Sequence, residues 1–250
     1  MTKELIMHKI VVLVPFRNVG RYIIDCVNSL VGQEYINYEI YLLDDASMDN
    51  TLDLIDEDFE NVHKIKNKKR LGALGNLYKA LIELPIEEDD IVAICDGDDY
   101  IFGESAFHIV NEKYNSNFLL TYGTFIDNLG RICRFKGYSE DEFNNLRQAP
   151  WMASHLKTFK YKLFQEFRKQ DFLAESLKDS MGQFYASTYD QALMFPLMEI
   201  AGYENIAMID NIIYSYRLHA NNDHMTAEGR RIQIEAEQHI RSRKPLKQIF

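Results

Sequence analysis

Along the first hundred residues, short strand-like runs, the clearest of them apolar without alternation, are separated by stretches of helical spacing. Lys9 to Val14, Glu39 to Leu43, Val62 to Lys66 and Ile91 to Cys95 read as strands. An apolar run without alternation fits a strand covered on both faces, as in a parallel sheet flanked by helices. Between the runs, Ile23, Val27, Leu30 and Val31 recur at helical spacing, and Leu74, Leu77, Leu81 and Leu84 share a helical face that stops at Pro85. A third helix is expected to open at Asp49-Asn50-Thr51 and pass through Leu52 and Ile55. Pro15 is expected to close the first strand and Asn18 to cap the helix after it. Four strands alternating with three helices predict an α/β domain with a parallel sheet and right-handed crossovers.

After Tyr100 the pattern changes. A helix around Ala106, Phe107 and Val110 leads to the run Phe118 to Tyr122. Thr124 to Asp127 and Arg131 to Phe135, joined through Asn128-Leu129-Gly130, look like a hairpin. Tyr138 to Pro150 is polar and loop-like, and a helix then passes through Leu163 and Phe167. Thr188-Tyr189-Asp190-Gln191 starts a largely apolar helix that contains Pro196 and closes at Gly202. Two short strands, Ile206 to Ile209 and Ile212 to Tyr216, run into Arg217-Leu218-His219, and from Thr226 the tail is a charged helix.

Composition narrows the classes. The chain has 250 residues, 46% of them hydrophobic and 26% charged, which suits a globular domain with a sizeable core. A net charge of −10 argues against a nucleic-acid binder, because a phosphate backbone is gripped by a basic face. Cys26, Cys95 and Cys133 lie far apart and match neither a disulfide framework nor a zinc site, as expected of a reducing, cytoplasmic compartment. Met1 to Met7 is too short and polar for a secretory signal, and no run of about 18 apolar residues offers a membrane span. A soluble protein is expected, with peripheral membrane contact left open.

Chemistry gathers after the fourth strand. In Ile91 to Tyr100, IVAICDGDDY, a buried strand runs into Asp96, Asp98 and Asp99 around Gly97. Ligands of parallel sheets collect beyond the carboxyl ends of the strands, and three carboxylates there would repel one another without a cation. Mg²⁺ or Mn²⁺ takes such oxygen ligands and shares them with substrate phosphates. The plainer reading is an acidic turn. Asp45, at the end of the second strand, suits a ribose or base contact, or a helix cap. The mostly basic loop from Lys64 to Arg70, followed by Gly72 and Gly75, suits a diphosphate cradle or a solvated face. Trp151 and His155 suit a sugar-stacking acceptor wall or packed aromatics.

Taken together, six ordered motifs resemble the inverting GT-A-fold glycosyltransferases of family two, over about residues 8 to 222. They are Val-Pro-x-x-Asn at Val14 to Asn18, Asp-Asp-x-Ser-x-Asp-x-Thr at Asp44 to Thr51, the basic Gly-Asn segment at Asn67 to Asn76, Asp-Gly-Asp-Asp at Asp96 to Asp99, the Asp-Gln pair at Asp190, and Tyr-x-Tyr-Arg-x-His at Tyr214 to His219. The resemblance implies a Rossmann-like, mostly parallel central sheet with helices on both faces and a smaller mixed sheet on the acceptor side. It implies one domain over residues 1–225, with a nucleotide-binding half at 8–100 and an acceptor half at 101–225, followed by the helical tail at 226–250. It places Pro15, Arg17 and Asp45 at the nucleotide base, Arg70 near base and diphosphate, Asp96 and Asp98 at ribose and metal, His219 near the metal or diphosphate, and Asp190 as general base. Arg17 stands where a tyrosine is usual, Tyr100 where a tryptophan is frequent, and Gly75 where an arginine is common.

The implied reaction is a single displacement that moves a sugar from a nucleoside diphosphate, UDP being the commonest, to a hydroxyl of a glycan or other sugar-bearing acceptor. Mn²⁺ or Mg²⁺ and the basic loop would balance the leaving diphosphate. Asp190 would take the hydroxyl proton; otherwise it is an N-terminal charge that steadies its helix. Two rival readings are a sugar nucleotidyltransferase, which usually needs a Gly-rich basic loop after the first strand, and a non-catalytic binding module of the same fold. The charged tail could pack on a partner or on a second copy, giving a homodimer.

Overall fold

The computed structural model describes residues 5–55, 59–219 and 226–250. Its centre is a sheet in the order β3-β2-β1-β4-β8-β6-β9-β5, with β7 paired to β6. β1 (Ile10–Phe16), β2 (Tyr38–Asp44), β3 (Val62–Lys66) and β4 (Ile91–Ile94) are mutually parallel. β5 (Tyr100–Ile101), β6 (Leu120–Asp127), β7 (Ile132–Cys133), β8 (Ser154–Lys160) and β9 (Ile206–Tyr216) continue the same sheet with mixed directions. The smaller mixed sheet expected on the acceptor side is thus continuous with the parallel one, joined where β8 pairs antiparallel with β4.

Both faces are covered. Ile10, Val12 and Val14 pack with α1 (Tyr22–Val31) and α3 (Ala106–Asn115). Val11 and Leu13 face the other core, which holds α2 (Gly72–Glu83), α5 (Tyr161–Gln170) and α6 (Tyr189–Ala201). Burial on two sides is the reason these strands read as continuous apolar runs. Short α4 (Glu140–Asn144) and the C-terminal α7 (Ala227–Ser242) complete the helices among the described residues. None of those helices is long and apolar enough to cross a membrane.

Several local expectations change. Pro15 lies inside β1, opposite Leu43, instead of ending the strand. Its carbonyl accepts Gly97 N–H on the β4 side, so its missing N–H faces the edge where β4 has already ended. Asn18 does not cap α1, whose N-cap is Arg21; its Oδ1 accepts Met48 N–H and ties the two strand-end loops together. The helix expected at residues 49–55 is one 3-10 turn, Thr51–Leu54, which leaves α1 and α2 as the α-helices among the described residues of the first hundred. The polar stretch 138–150 contains α4, opened by a capping box between Ser139 and Glu142. The two strands expected at 206–216 are one, because a bulge places Gly123 opposite Ile209 and Thr124 opposite Ile212. The boundary expected at residue 225 falls among residues 220–225, outside the described residues.

Candidate active site

The chain leaves β1 outward to β2 and β3 and returns to β4 on the other side of β1. That reversal opens a crevice at the carboxyl ends of β1 and β4. Residues 15–17, 44–45, 70 and 96–99 all lie at or just beyond the carboxyl ends of these four strands. Gly97 is required here by close approach, since an added Cβ would lie 2.6 Å from Phe16 Cβ.

The three acids after β4 have different tasks. Asp99 is 1% exposed and fully engaged: Oδ2 accepts the Tyr214 hydroxyl at 2.7 Å and Oδ1 accepts Arg217 N–H at 2.7 Å. It pins the end of β9 to the acidic turn. Arg217 strengthens that junction, with Nε 2.8 Å from the Asp98 carbonyl and Nη2 2.8 Å from Asp25. Asp96 accepts the hydroxyl of Tyr189, at the start of α6. Asp98 keeps its side chain at the cleft surface, with Oδ2 2.8 Å from His219 Nε2. Burial, and then the neighbouring Asp98 and Asp96, hold the Asp99 carboxyl well above the usual range. Burial likewise pushes Asp96 up to about 6, opposed by Lys157 and the Tyr189 hydroxyl and reinforced by Asp98 and Asp190.

Two sets of residues could meet a cation. Atoms of Asp96, Asp99 and His155 come within 4.8 Å of one another. Those groups are already committed to Tyr189, Tyr214, Arg217 and Lys157, and the Lys157 ammonium sits against His155. Asp98 and His219 are the second set, an oxygen and a nitrogen 2.8 Å apart on side chains 25% and 15% exposed, donor types that a hard or borderline divalent ion takes.

Asp190 occupies the first turn of α6, where the helix dipole favours an anion. The turn before it is strained: Thr188 has φ +59, uncommon for a β-branched residue. α7 supports this conformation, since Thr188 Oγ1 donates to the Gln233 carbonyl at 3.3 Å. Trp151 Nε1 donates to Asp190 Oδ2 at 3.1 Å, and its ring stands edge-on to Phe195. His155 does not share that contact; it stacks on Tyr214 at 4.5 Å on the cleft floor. Burial and the adjacent Lys157 push its imidazole well below the usual range.

At the other end, Asp45 is 4% exposed and spends both oxygens on the start of α2, accepting Leu71 N–H at 2.6 Å and Gly72 N–H at 2.9 Å. Arg17 Nη1 donates to the carbonyls of Asp45 and Ala46, at 2.8 and 2.7 Å. Gly75 leaves room for Phe184, whose ring would be 3.2 Å from an added Cβ. Asp45, Arg70 and Phe184 line one lobe of about 460 Å³; Asp96, Asp98 and Asp190 line another of about 370 Å³. Pro15, Phe16, Arg17, Ala73 and Ala186 line both, so the two lobes form one cleft. The structure therefore brings Pro15, Arg17, Asp45, Arg70, Asp96, Asp98 and Asp190 to one depression, with His219 on Asp98 and Trp151 on Asp190. Sequence reasoning missed Lys157, Tyr189 and Phe184 as lining residues. A signal existed for Lys157, two positions after His155 in a strand-like stretch.

Known proteins share this architecture. Chondroitin synthase of Escherichia coli is 21% identical over 238 residues, 92% of this chain and 31% of its own. Glycosyltransferase GlyG of Streptococcus pneumoniae serotype 4 is 28% identical over 105 residues, 41% of this chain and 35% of its own. The chain thus spans about a third of the length of either relative. Staphylococcus aureus TarS 1–349 in complex with UDP superposes with a TM-score of 0.64 at 19% identity, over 85% of this chain and 61% of that one. The mannosyltransferase PcManGT of Pyrobaculum calidifontis, in complex with GDP-Man and Mn²⁺, gives 0.64 at 17% identity, over 95% and 66%. These likenesses establish the GT-A fold. The family model for glycosyl transferase family 2 matches residues 11–171, which is more than half of the sequence and includes the ends of β1 to β4. The chain belongs to glycosyl transferase family 2.

Proposed function

We propose that this chain transfers a sugar from a nucleoside-diphosphate sugar, a UDP-sugar first, to a hydroxyl of a glycan or other sugar-bearing acceptor, inverting the anomeric carbon. The carrying observation is the continuity of the cleft: Asp45 and Arg70 line one lobe, the acidic turn and Asp190 the other. A donor's base and diphosphate suit the first lobe, and its sugar the second. The acceptor oxygen attacks the anomeric carbon while the bond from that carbon to the diphosphate oxygen breaks. Asp190, in the first turn of α6, removes the acceptor proton as the new bond forms. Arg70 offsets charge on the departing diphosphate. A Mn²⁺ or Mg²⁺ ion at Asp98 and His219, with Asp96 nearby, would supply further positive charge when bound.

UDP on TarS, and GDP-Man with Mn²⁺ on PcManGT, support a nucleotide-sugar donor and a divalent ion. Likeness to chondroitin synthase supports a glycan acceptor. The test is thermal shift against a panel of nucleotide sugars with and without Mn²⁺, followed by product analysis with the donor that stabilises most. Metal-dependent stabilisation, nucleoside diphosphate release and an inverted anomeric configuration are expected. Diphosphate release from a nucleoside triphosphate would instead identify a nucleotidyltransferase. Donor binding without transfer or hydrolysis would identify a binding module.

A further inference from the structure

A buried cation on the cleft floor has no part in the scheme above. Lys157 lies in β8 opposite Ile94, beside the point where β4 turns into Asp96, and it is only 1% exposed while lining the acidic lobe. Among the described residues its hydrogen-bond partner is His155, with Nζ 2.9 Å from Nδ1. An ammonium carries three donors and no acceptor, so Nδ1 accepts and the imidazole keeps its proton on Nε2. Stacking on Tyr214 and Tyr216 fixes that imidazole in place. Nζ also sits 5.9 Å from the centroid of Tyr189, the residue before Asp190. No carboxylate among the described residues lies within 4.0 Å of it as an ion pair.

The Asp96 carboxylate faces this ammonium without hydrogen-bonding to it, and an ammonium buried with a single hydrogen-bond acceptor is unfavourable unless another partner completes its hydrogen bonds. The partner must come from the cleft, between the Asp96–Tyr189 contact and the start of α6. In the proposed reaction that space holds the transferred sugar. We infer that Lys157 is a donor-sugar-binding residue whose two remaining N–H groups take an oxygen of the transferred sugar, a hydroxyl or a carboxylate, and so select the donor. This inference rests on the proposed transferase function. It assigns Lys157 to the sugar, not to the nucleotide or diphosphate.

Calorimetric titration of wild type and Lys157→Met with UDP, UDP-glucose and UDP-glucuronate, all in Mn²⁺, separates the possibilities. UDP should bind both proteins within about twofold, while the preferred UDP-sugar should weaken roughly tenfold or more in the variant, the usual effect of losing a charged hydrogen bond. In turnover, the donor KM should rise more than kcat falls. A loss confined to UDP-glucuronate identifies a carboxylate contact, one confined to UDP-glucose its 6-hydroxyl, and one common to both a ring hydroxyl that they share. Equal weakening of UDP and UDP-sugar, or no weakening of either, would overturn the inference and leave Lys157 as a counter-charge to the acidic turn. Wild type that binds none of the three would instead overturn the donor assignment beneath it. If thermal unfolding shows that Lys157→Met is not folded, Lys157→Gln, which keeps a donor for His155, is titrated against the same criteria.

Discussion

The indole N–H of Trp151 holds Oδ2 of Asp190 at 3.1 Å. One lone-pair direction of the proposed base is thereby fixed, leaving Oδ1 to meet an acceptor hydroxyl. Asp190→Asn is expected to lower kcat by about 10²–10⁴, the usual worth of a general base, with little change in the unfolding midpoint. Trp151→Phe keeps the packing on Phe195 but loses the hydrogen bond, and should lower kcat far less. Steady-state kinetics and thermal unfolding of both variants check this. Near-normal transfer by Asp190→Asn would remove the residue from the role of base.

Asp45 acts as an external cap on α2, and its loss should appear as instability as well as weak nucleotide binding. Asp45→Ala leaves Leu71 and Gly72 N–H without their acceptor and is expected to cost about 1–3 kcal/mol. Asp45→Asn keeps one acceptor and should cost less. Urea unfolding reads both. An unchanged free energy of unfolding for the alanine variant would contradict the capping role.

Gly97→Ala tests the packing of the acidic turn on β1. Its Cβ would lie 2.6 Å from Phe16 Cβ, so turn and strand must separate. Overpacking of this kind costs about 1–3 kcal/mol, and the displaced turn should also weaken metal-dependent donor binding. Wild-type stability and donor affinity in this variant would show that the turn has slack.

At the opposite end of the sheet, Lys160 donates to His8 Nδ1 at 2.9 Å and to the Asp89 carbonyl. Burial lowers its pKa from 10.5 to about 8. Between those values the unfolded chain holds a proton that the folded chain has lost, so this residue makes stability rise with pH. Below about 8 both states are protonated and the full penalty applies. Lys160→Met should therefore gain stability relative to wild type at pH 7.5 compared with pH 10, measured by urea unfolding at both. A difference that does not change with pH would rule out this titration.

β1, β2 and β4 were legible because burial on two faces leaves little room for polar residues, α1 and α2 because their apolar spacing is regular, and α6 because it is a nearly continuous apolar run closed by Gly202. Misreadings came where a neighbour decides. Pro15 looks like a terminator until the end of β4 shows that no ladder bond is lost. Asp210-Asn211 looks like a break until the bulge against β6 absorbs it. α4 carried a legible Ser139–Glu142 capping signal, but its five residues are too few for periodicity.

What the sequence determined by itself is the kind of sheet and the inventory of acids at strand ends, because apolar runs and turn residues act locally. Which acid does what was decided only by tertiary structure. Asp96, Asp98 and Asp99 are neighbours in the chain, yet one meets Tyr189, one His219, and one is sealed by Tyr214 and Arg217. Those partners lie about 90 to 120 positions away. The antiparallel return of β8 buries Lys157 beside the same acids. A carboxylate's charge and accessibility depend on what surrounds it in space, and only the folded chain supplies those surroundings.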